Sequence, residues 1–296
     1  MVTYTSNGEF PGKKLKEEEQ YRKLYHYTSF NTFVKIWCTK KLKFGTLTEV
    51  NDILEMNEGI QTESPQQTPL IFAYKDIRTS YKQISFTMDY DSYIKGCMSP
   101  LMWGIYGDKR KGVCIEFDYK KLNIPDDCLK DIVKYCPAVK SSVTLPSHLK
   151  TIKDIKDFVE INADEMFFTK QESWQGENEY RLISDKNDYL DISSAISAVY
   201  LTSCDSIECL CVEDLIKDKC EIKFIDYIKN QSGDESIPIA RDCRETRESY
   251  EKAKISPSNA LNAISKQALE FYNSKKEDEN TSLILKEYFL PVDKSD

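Results

Sequence analysis

The segment WQGENEYRLI, residues 174–183, joins a polar turn to the start of an apolar, β-prone run. A strand that begins at Glu179 places Glu177, Glu179 and Arg181 on one face and the apolar alternate positions on the other. Two carboxylates and a guanidinium side by side are costly to bury without a purpose. The segment therefore predicts a functional site. The competing interpretation is a salt-bridged strand edge near solvent, since surface ion pairs are common and individually weak.

Composition and charge restrict the class of protein. The chain has 296 residues, enough for one large or two small domains. Its 40% hydrophobic and 11% aromatic content is typical of a folded rather than a disordered sequence. The net charge of -8 argues against a broad surface for DNA or an anionic membrane. No run approaches the roughly 18 apolar residues of a membrane span and the first residues lack an apolar signal core, which predicts a cytoplasmic protein without a membrane partner.

The ten cysteines are scattered and include no CxxC pair. Only Cys209 and Cys211 lie close together in the sequence, and the chain has two histidines, His26 and His148. A zinc site needs grouped ligands, so this pattern predicts buried thiols in a reducing cell and no metal.

The periodicity predicts a mixed α+β domain at residues 21–230, preceded by a loose arm at 1–20 and followed by a helical extension at 231–296. Strands are expected at residues 23–28, 43–46, 70–74, 83–87, 113–117, 134–139, 179–183, 195–201 and 220–228. Helices are expected at residues 30–42, 100–106, 152–169 and 206–217, with a helical hairpin at 239–288. Ser29 is a suitable N-cap for the first helix and Pro100 a suitable opening residue for the second. Residues 61–70 are expected to form a loop.

Five segments in a fixed order resemble a bacterial domain family that is catalogued only as a domain of unknown function. They are LYHYTSF (24–30), FGTLTEVND with a following Glu55 (44–55), ISFT (84–87), LMWGIYGDKRKGVCIEFD (101–118) and FFTKQESWQGENEYRLI (167–183). The chain departs from the family pattern at Val50, where phenylalanine usually precedes Asn-Asp, at Gly104 and at Gly176.

A more distant resemblance concerns the fold. A His-bearing strand before Tyr-Thr, then a helix, split strands and a late strand that starts with Glu are similar to the ADP-ribosyltransferase fold. The resemblance implies a split mixed β-sheet core with flanking helices and NAD as the substrate. It implies that His26 holds the adenosine-side ribose with Thr28 as a second contact, that Glu177 or Glu179 is catalytic, and that Ser85 buttresses the catalytic carboxylate.

The same resemblance implies an aromatic side chain stacked on nicotinamide, for which Tyr106 is preferred over Trp103 and Tyr27. Arg181 is expected to keep the acidic pair ionised or to clamp a pyrophosphate, and Lys170 and Arg110 are further phosphate candidates. The alternatives are structural: His26 as a hydrogen-bonded histidine in a half-buried strand, and the aromatic residues as part of the core.

The predicted function is NAD-dependent ADP-ribosyl transfer or NAD hydrolysis, without a metal, in a toxin or phage-defence effector. The sequence leaves the acceptor open between protein, nucleic acid, a small molecule and water. A first alternative is a metal-dependent nuclease or phosphodiesterase in which carboxylates bind a divalent ion and Lys170 steadies the phosphate. Its candidate ligands are Asp52, Glu55, Glu177 and Glu179. A second alternative is a non-catalytic sensor or binding module.

Overall fold

The computed structural model describes residues 23–52, 59–63, 68–91, 94–137, 142–202, 207–229 and 236–252. The strands are β1 (Lys23–Thr28), β2 (Lys41–Lys43), β3 (Gly45–Thr46), β4 (Gly59–Thr62), β5 (Lys82–Met88), β6 (Val113–Asp118), β7 (Leu129–Ile132), β8 (Lys134–Cys136), β9 (Ser142–Leu145), β10 (Thr169–Gln171), β11 (Glu179–Ser184), β12 (Tyr189–Asp191), β13 (Ile196–Leu201), β14 (Glu221–Lys229) and β15 (Ser236–Asp242). The helices are α1 (Phe30–Thr39), α2 (Thr68–Ser80), α3 (Pro100–Ile105), α4 (Ile152–Ile161), α5 (Ala163–Phe167), α6 (Ile207–Ile216) and α7 (Cys243–Lys252).

The described residues divide into two compact units. The first unit contains residues 43–86 and 123–190, and the second contains residues 23–42, 87–122 and the described residues from 191 onward. Strand β5 contributes to both units, because the division falls between Phe86 and Thr87.

The second unit is built on a mixed sheet with the strand order β15, β14, β13, β6, β1. Strands β13 and β14 are parallel, whereas the other neighbours are antiparallel. Parallel neighbours need a crossover connection, which α6 supplies between β13 and β14. The last two residues of β5 extend this sheet, with Thr87 opposite Tyr25 and Met88 opposite Leu24. One core of this unit is rich in aromatic residues and sulfur; its buried members are Tyr25, Tyr27, Cys97, Met102, Trp103, Cys114, Ala198, Tyr200 and Ile225.

The first unit combines short strands with a helical core. Strand β5 is bordered by β3 and β11, and β11 pairs antiparallel with β7. Two separate parallel pairs are formed by β4 with β9 and by β8 with β10. Helix α2 packs against α4, and the shared core includes Tyr74, Leu145, Ile155, Val159 and Phe167.

Most predicted elements are confirmed with small shifts at their ends. Helix α1 begins after Ser29, whose side chain accepts a hydrogen bond from the Thr32 amide. Helix α3 opens with Pro100, as its missing amide proton allows. The α+β class is also confirmed. No helix among the described residues is long and apolar enough to cross a membrane.

The predictions of a loop at residues 61–70 and of a strand at 70–74 are wrong at residues 61–62 and 68–74, and residues 64–67 lie outside the described residues. Residues 59–62 form β4, and the expected strand at 70–74 is part of helix α2. A short apolar run such as LIFAY fits either a buried strand or a helix, so its periodicity does not distinguish them. Packing decides, because Leu70, Tyr74 and Ile77 share a helical face that lies against the core of the first unit.

Two further expectations differ from the structure. The helix expected at residues 152–169 is divided at Asn162, whose side chain donates to the Phe158 carbonyl, and Thr169 already belongs to β10. In the expected helical extension, residues 236–242 form strand β15 paired with β14, whereas residues 243–252 are helical. The expected arm at 1–20 and the rest of the extension lie outside the described residues.

Candidate active site

Four ionisable side chains of the first unit form a buried charge cluster that consists of Lys170, Glu177, Glu179 and Arg181. Each of these residues is between 2% and 4% exposed. Lys170 Nζ lies 2.6 Å from Glu177 Oε2 and 3.8 Å from Glu179 Oε2. Arg181 donates from Nε and Nη2 to the two oxygens of Glu179, at 2.8 and 2.7 Å. The structure thus brings together the three side chains of the WQGENEYRLI pattern, adds Lys170, and buries the group rather than leaving it near solvent.

The local backbone explains how two acids two residues apart meet one lysine. Glu177 ends a 3-10 turn, Glu172–Glu177, and Glu179 begins β11. Between them Asn178 has φ 45°, a left-handed conformation that asparagine tolerates better than most residues. Lys170 comes from β10, where it lies opposite Tyr135 of β8. The cluster therefore depends on a turn and on two short strands that the sequence brings together only on folding.

Hydrogen bonds hold Glu179 from several sides. Its amide donates to the Tyr135 hydroxyl at 3.0 Å, and its carbonyl accepts from the Val133 amide at 2.9 Å. Its carboxylate accepts a hydrogen bond from the Ser85 side chain of β5. Arg181 is anchored in turn, since its Nη1 donates to the Phe167 carbonyl at 2.7 Å. The Glu179 carboxylate is therefore held in a defined position before any substrate binds.

The charges of the cluster balance, because two carboxylates face two cations. Burial would raise the pKa of Glu179, but the Arg181 and Lys170 charges and the hydrogen bond from Ser85 outweigh burial and hold this pKa below its usual range. Glu179 is consequently ionised at neutral pH in a water-poor environment. A charge in such a place acts strongly on whatever charge develops next to it.

The predicted aromatic contacts lie in the second unit. Tyr27 and Trp103 pack edge to face, with ring centroids 5.1 Å apart, and both belong to the aromatic core. The Tyr27 hydroxyl donates to the Gly96 carbonyl, and the Trp103 indole donates to the Cys97 carbonyl. Tyr106 is half-buried and packs at the margin of this core, so of the three it is the least buried.

The other predicted ligand contacts, His26, Thr28 and Arg110, also belong to the second unit. His26 is half-buried and Thr28 buried on β1, opposite Ile115 and Val113 of β6. Arg110 is exposed in the turn between α3 and β6. Of the alternative metal ligands, Asp52 is buried in the first unit, whereas Glu55 lies outside the described residues.

Residues 102–182 match the model of one protein family. Its description is Protein of unknown function (DUF2971). The matched range includes the buried charge cluster as well as Trp103 and Tyr106. It supports the expected relationship to a domain family of unknown function. No curated protein and no solved structure matches the chain.

Sequence reasoning missed a further buried carboxylate, Glu116, which lies in the second unit. Glu116 accepts hydrogen bonds from Ser197 Oγ and from the Tyr200 hydroxyl, both at 2.6 Å, and Lys23 Nζ lies 3.3 Å away. Burial would raise the pKa of Glu116, but these hydrogen bonds and the Lys23 charge lower it overall. The sequence did contain an indication of this site, because Glu116 stands inside the apolar run VCIEF and a charge buried in a central strand needs polar partners.

The structure shows the surroundings of Lys170, a predicted phosphate contact. Lys170 pairs with Glu177, and its ammonium lies 4.8 Å from the centre of the Trp174 ring. Trp174 is half-buried in a turn whose Glu172, Ser173 and Gln175 are exposed. This turn therefore joins the solvent-facing surface of the first unit to the buried charge cluster.

Proposed function

We propose that the chain breaks the glycosidic bond of NAD, with Glu179 as the carboxylate that stabilises the positive charge developing on the nicotinamide ribose. The bond between the ribose C1′ and the nicotinamide nitrogen breaks, and nicotinamide leaves with the electron pair. The oxygen of water or of an acceptor then bonds to C1′ and loses its proton. The products are nicotinamide and either ADP-ribose or an ADP-ribosylated acceptor.

The observation that carries this proposal is the Glu179 carboxylate itself, which is 4% exposed and lies 2.7 Å from Arg181 Nη2 and 3.8 Å from Lys170 Nζ, with Ser85 of β5 among the groups that lower its pKa. The resemblance to the ADP-ribosyltransferase fold implies a serine on an earlier strand that buttresses the catalytic glutamate. These residues are distant in the sequence, so their contact does not follow from the motif that contains Glu179. The direction of the Glu179 pKa agrees, since an ionised carboxylate is what the reaction needs.

Glu177 is the second acid in this proposal. It lies with Glu179 around Lys170, and an ionised carboxylate in that position can accept the proton that the attacking oxygen loses. Because Glu177 and Glu179 are only 3% and 4% exposed, substrate access in this proposal requires a displacement of the structure around them, to which Trp174, 4.8 Å from the Lys170 ammonium, is close. Trp174 fluorescence is a direct reporter of that displacement on addition of NAD.

His26, Thr28, Tyr106, Tyr27 and Trp103 belong to the second unit, and their part in NAD binding remains a prediction. Tyr106 is the preferred aromatic contact because it is half-buried, whereas Tyr27 and Trp103 are buried. Tyr106→Ala and His26→Ala are expected to raise the KM for NAD more than they lower kcat, if these residues contact the substrate rather than support the fold.

Neither alternative function has an observation of its own. Lys170 and Arg181 already balance the charges of Glu177 and Glu179, so a divalent ion would have to displace an ammonium held at 2.6 Å. The same burial keeps the acidic pair from docking a basic partner on the surface. EDTA separates the first alternative directly, because NAD cleavage of this kind needs no metal.

The test is nicotinamide release from NAD, followed by NMR with EDTA present, for the wild-type chain and for Glu179→Gln and Glu177→Gln. Loss of a preorganised charge in a buried site is expected to lower the rate about 100–1000-fold for Glu179→Gln. Glu116→Gln is the matched control, because it removes another buried carboxylate in a different unit. Absence of release, together with unchanged NAD chemical shifts on addition of the protein, would contradict the proposal.

The biological setting that we propose is conflict between bacteria or with phage, by analogy at the level of the fold. NAD consumption would make the wild-type chain toxic when expressed. The measurement is growth after induction of the wild type and of the double variant Glu177→Gln, Glu179→Gln at equal protein levels. Equal growth of the two cultures contradicts this setting.

A further inference from the structure

Two cysteines that are 34 residues apart in the sequence meet in the second unit beside a carboxylate. Cys209 and Glu213 lie one turn apart on α6, and Cys243 is the first residue of α7. The sulfur and carboxylate atoms of these three residues all lie within 4.8 Å of one another. Both cysteines are 0% exposed, whereas Glu213 is half-buried with its Oε1 atom shielded from solvent.

We propose that Cys209, Cys243 and Glu213 bind a divalent thiophilic metal ion, with zinc as the chemical type. Two thiolates and one carboxylate are ligands that zinc accepts in proteins, and three protein ligands leave a fourth position for water or another donor. The proposed ion joins α6 to α7, and NAD cleavage does not depend on it. The scattered positions of the cysteines in the sequence hid this group.

The two helices hold the ligands in place without the ion. Asp242 accepts hydrogen bonds from the Arg244 and Glu245 amides and thus caps α7 immediately before Cys243. Asp242 is also the last residue of β15, opposite Lys223 of β14. Helix α6 is fixed at its other end, where the Leu215 carbonyl accepts a hydrogen bond from the Trp37 indole at 3.2 Å. The ligand set is therefore largely preorganised.

Metal binding must change the distance between the two cysteine sulfur atoms. The sulfur atoms of Cys209 and Cys243 are 2.9 Å apart. Two thiolates at about 2.3 Å from a tetrahedral zinc ion lie about 3.8 Å apart, so small side-chain rotations open the pair. A disulfide, with sulfur atoms about 2.05 Å apart, requires a shift of similar size in the opposite direction. The nearby carboxylate decides in favour of a metal, because a disulfide makes no use of Glu213.

Charge and access are consistent with a cation at this position. The three ligands carry three negative charges when the thiols are deprotonated, and a divalent ion leaves one. Arg244 lies close enough to Glu213 for their charges to interact. A surface cleft of about 320 Å³ is lined partly by Asp242 and Arg244, the chain neighbours of Cys243, so the site lies close to the surface of the second unit.

The test uses the full-length chain, reduced, freed of metal and titrated with Co²⁺. One ion per chain is expected, with the thiolate-to-cobalt charge-transfer band and the visible bands of tetrahedral cobalt. Cys209→Ser and Cys243→Ser should lose the charge-transfer band, and Glu213→Gln should weaken binding at least tenfold. Cys211→Ser is the matched control, since Cys211 is a buried thiol on the same helix and should bind like the wild type.

A second measurement on the wild-type chain needs no variant that could misfold. In urea just below the unfolding transition, where buried thiols become reactive through transient opening, zinc should slow the alkylation of Cys209 and Cys243, while Cys38, an exposed thiol, reacts equally with and without zinc. Absence of a charge-transfer band in the wild type overturns the proposal. A Cys209–Cys243 disulfide in protein purified without reductant, found by peptide mass spectrometry, also overturns it.

Discussion

Replacing Arg181 with methionine tests whether the buried charge cluster supports the first unit. Arg181 is 2% exposed and makes three hydrogen bonds, two to the Glu179 carboxylate at 2.8 and 2.7 Å and one to the Phe167 carbonyl at 2.7 Å. Methionine keeps much of the side-chain volume but has no charge. Glu179 would then stay buried with Lys170, 3.8 Å away, as its nearby cation.

The expected loss follows from these contacts. Removing one partner of a buried ion pair costs about 3–5 kcal/mol, because the remaining charge stays desolvated. Three charge-assisted hydrogen bonds at about 1.5–3 kcal/mol each would give a larger sum. Lys170, and protonation of Glu179, offset part of that sum. We therefore expect the free energy of unfolding to fall by about 3–5 kcal/mol for Arg181→Met.

The assay is urea unfolding followed by circular dichroism and by tryptophan fluorescence, since Trp174 lies beside the cluster. The matched control is Lys134→Met, which removes the 2.8 Å ion pair between Lys134 and Asp164. The side chains of Lys134 and Asp164 are 50% and 69% exposed, so this pair is similar in length to the Arg181–Glu179 pair but not buried. That variant should lose at most about 1 kcal/mol. An equal loss in the two variants would refute the reasoning, because burial would then add nothing to the value of the pair.

Four further substitutions test separate parts of the fold. Gly112→Ala should lower the free energy of unfolding in urea by about 3 kcal/mol, the upper end of the cost of overpacking, because the added Cβ would lie 2.2 Å from the Thr28 carbonyl oxygen. Gly104→Ala, with no atom within 4 Å of the added Cβ, should instead stabilise α3 by about 0.5–1 kcal/mol, and a loss there contradicts the helix. Ser29→Ala should cost about 1 kcal/mol through the lost cap of α1, whereas an unchanged urea midpoint would show that the cap is dispensable. Folding lowers the pKa of Glu116. The ionised Glu116 carboxylate therefore contributes to stability above the unfolded pKa of about 4.3, and this contribution is lost as the pH falls through the lower pKa of the folded state. As the pH falls below about 4.3, the wild type should therefore lose more stability than Glu116→Gln in urea unfolding, and parallel curves contradict this assignment.

Local sequence signals were sufficient where one face of an element is clearly apolar or a terminus carries a specific residue. The Ser29 cap, the Pro100 opening of α3 and the strand that begins at Glu179 all follow from a few neighbouring residues. Such features depend on contacts within one turn or one strand. The run at residues 70–74 gave the wrong element because both of its interpretations were locally acceptable and only packing against α4 distinguishes them.

Some residues of the candidate site could be predicted from the sequence, but their burial and their contacts could not. The alternation around Glu179 indicated that Glu177, Glu179 and Arg181 share a face, and the same pattern fitted an exposed strand edge. Burial to less than 5% depends on packing by the whole unit, Ser85 comes from β5, which is distant in the sequence, and the contact with Lys170 depends on how the turn between β10 and β11 folds. No local pattern contains that information.

The sequence by itself determined the α+β class, most of the strand and helix positions, and the residues of the acidic strand, because these depend on short-range periodicity and on side-chain chemistry. Tertiary structure decided which charges are buried, which carboxylate is held ionised, and that Cys209 and Cys243 lie side by side. The physical reason is that burial and pKa depend on every element packed around a group, and such elements come from anywhere in the chain.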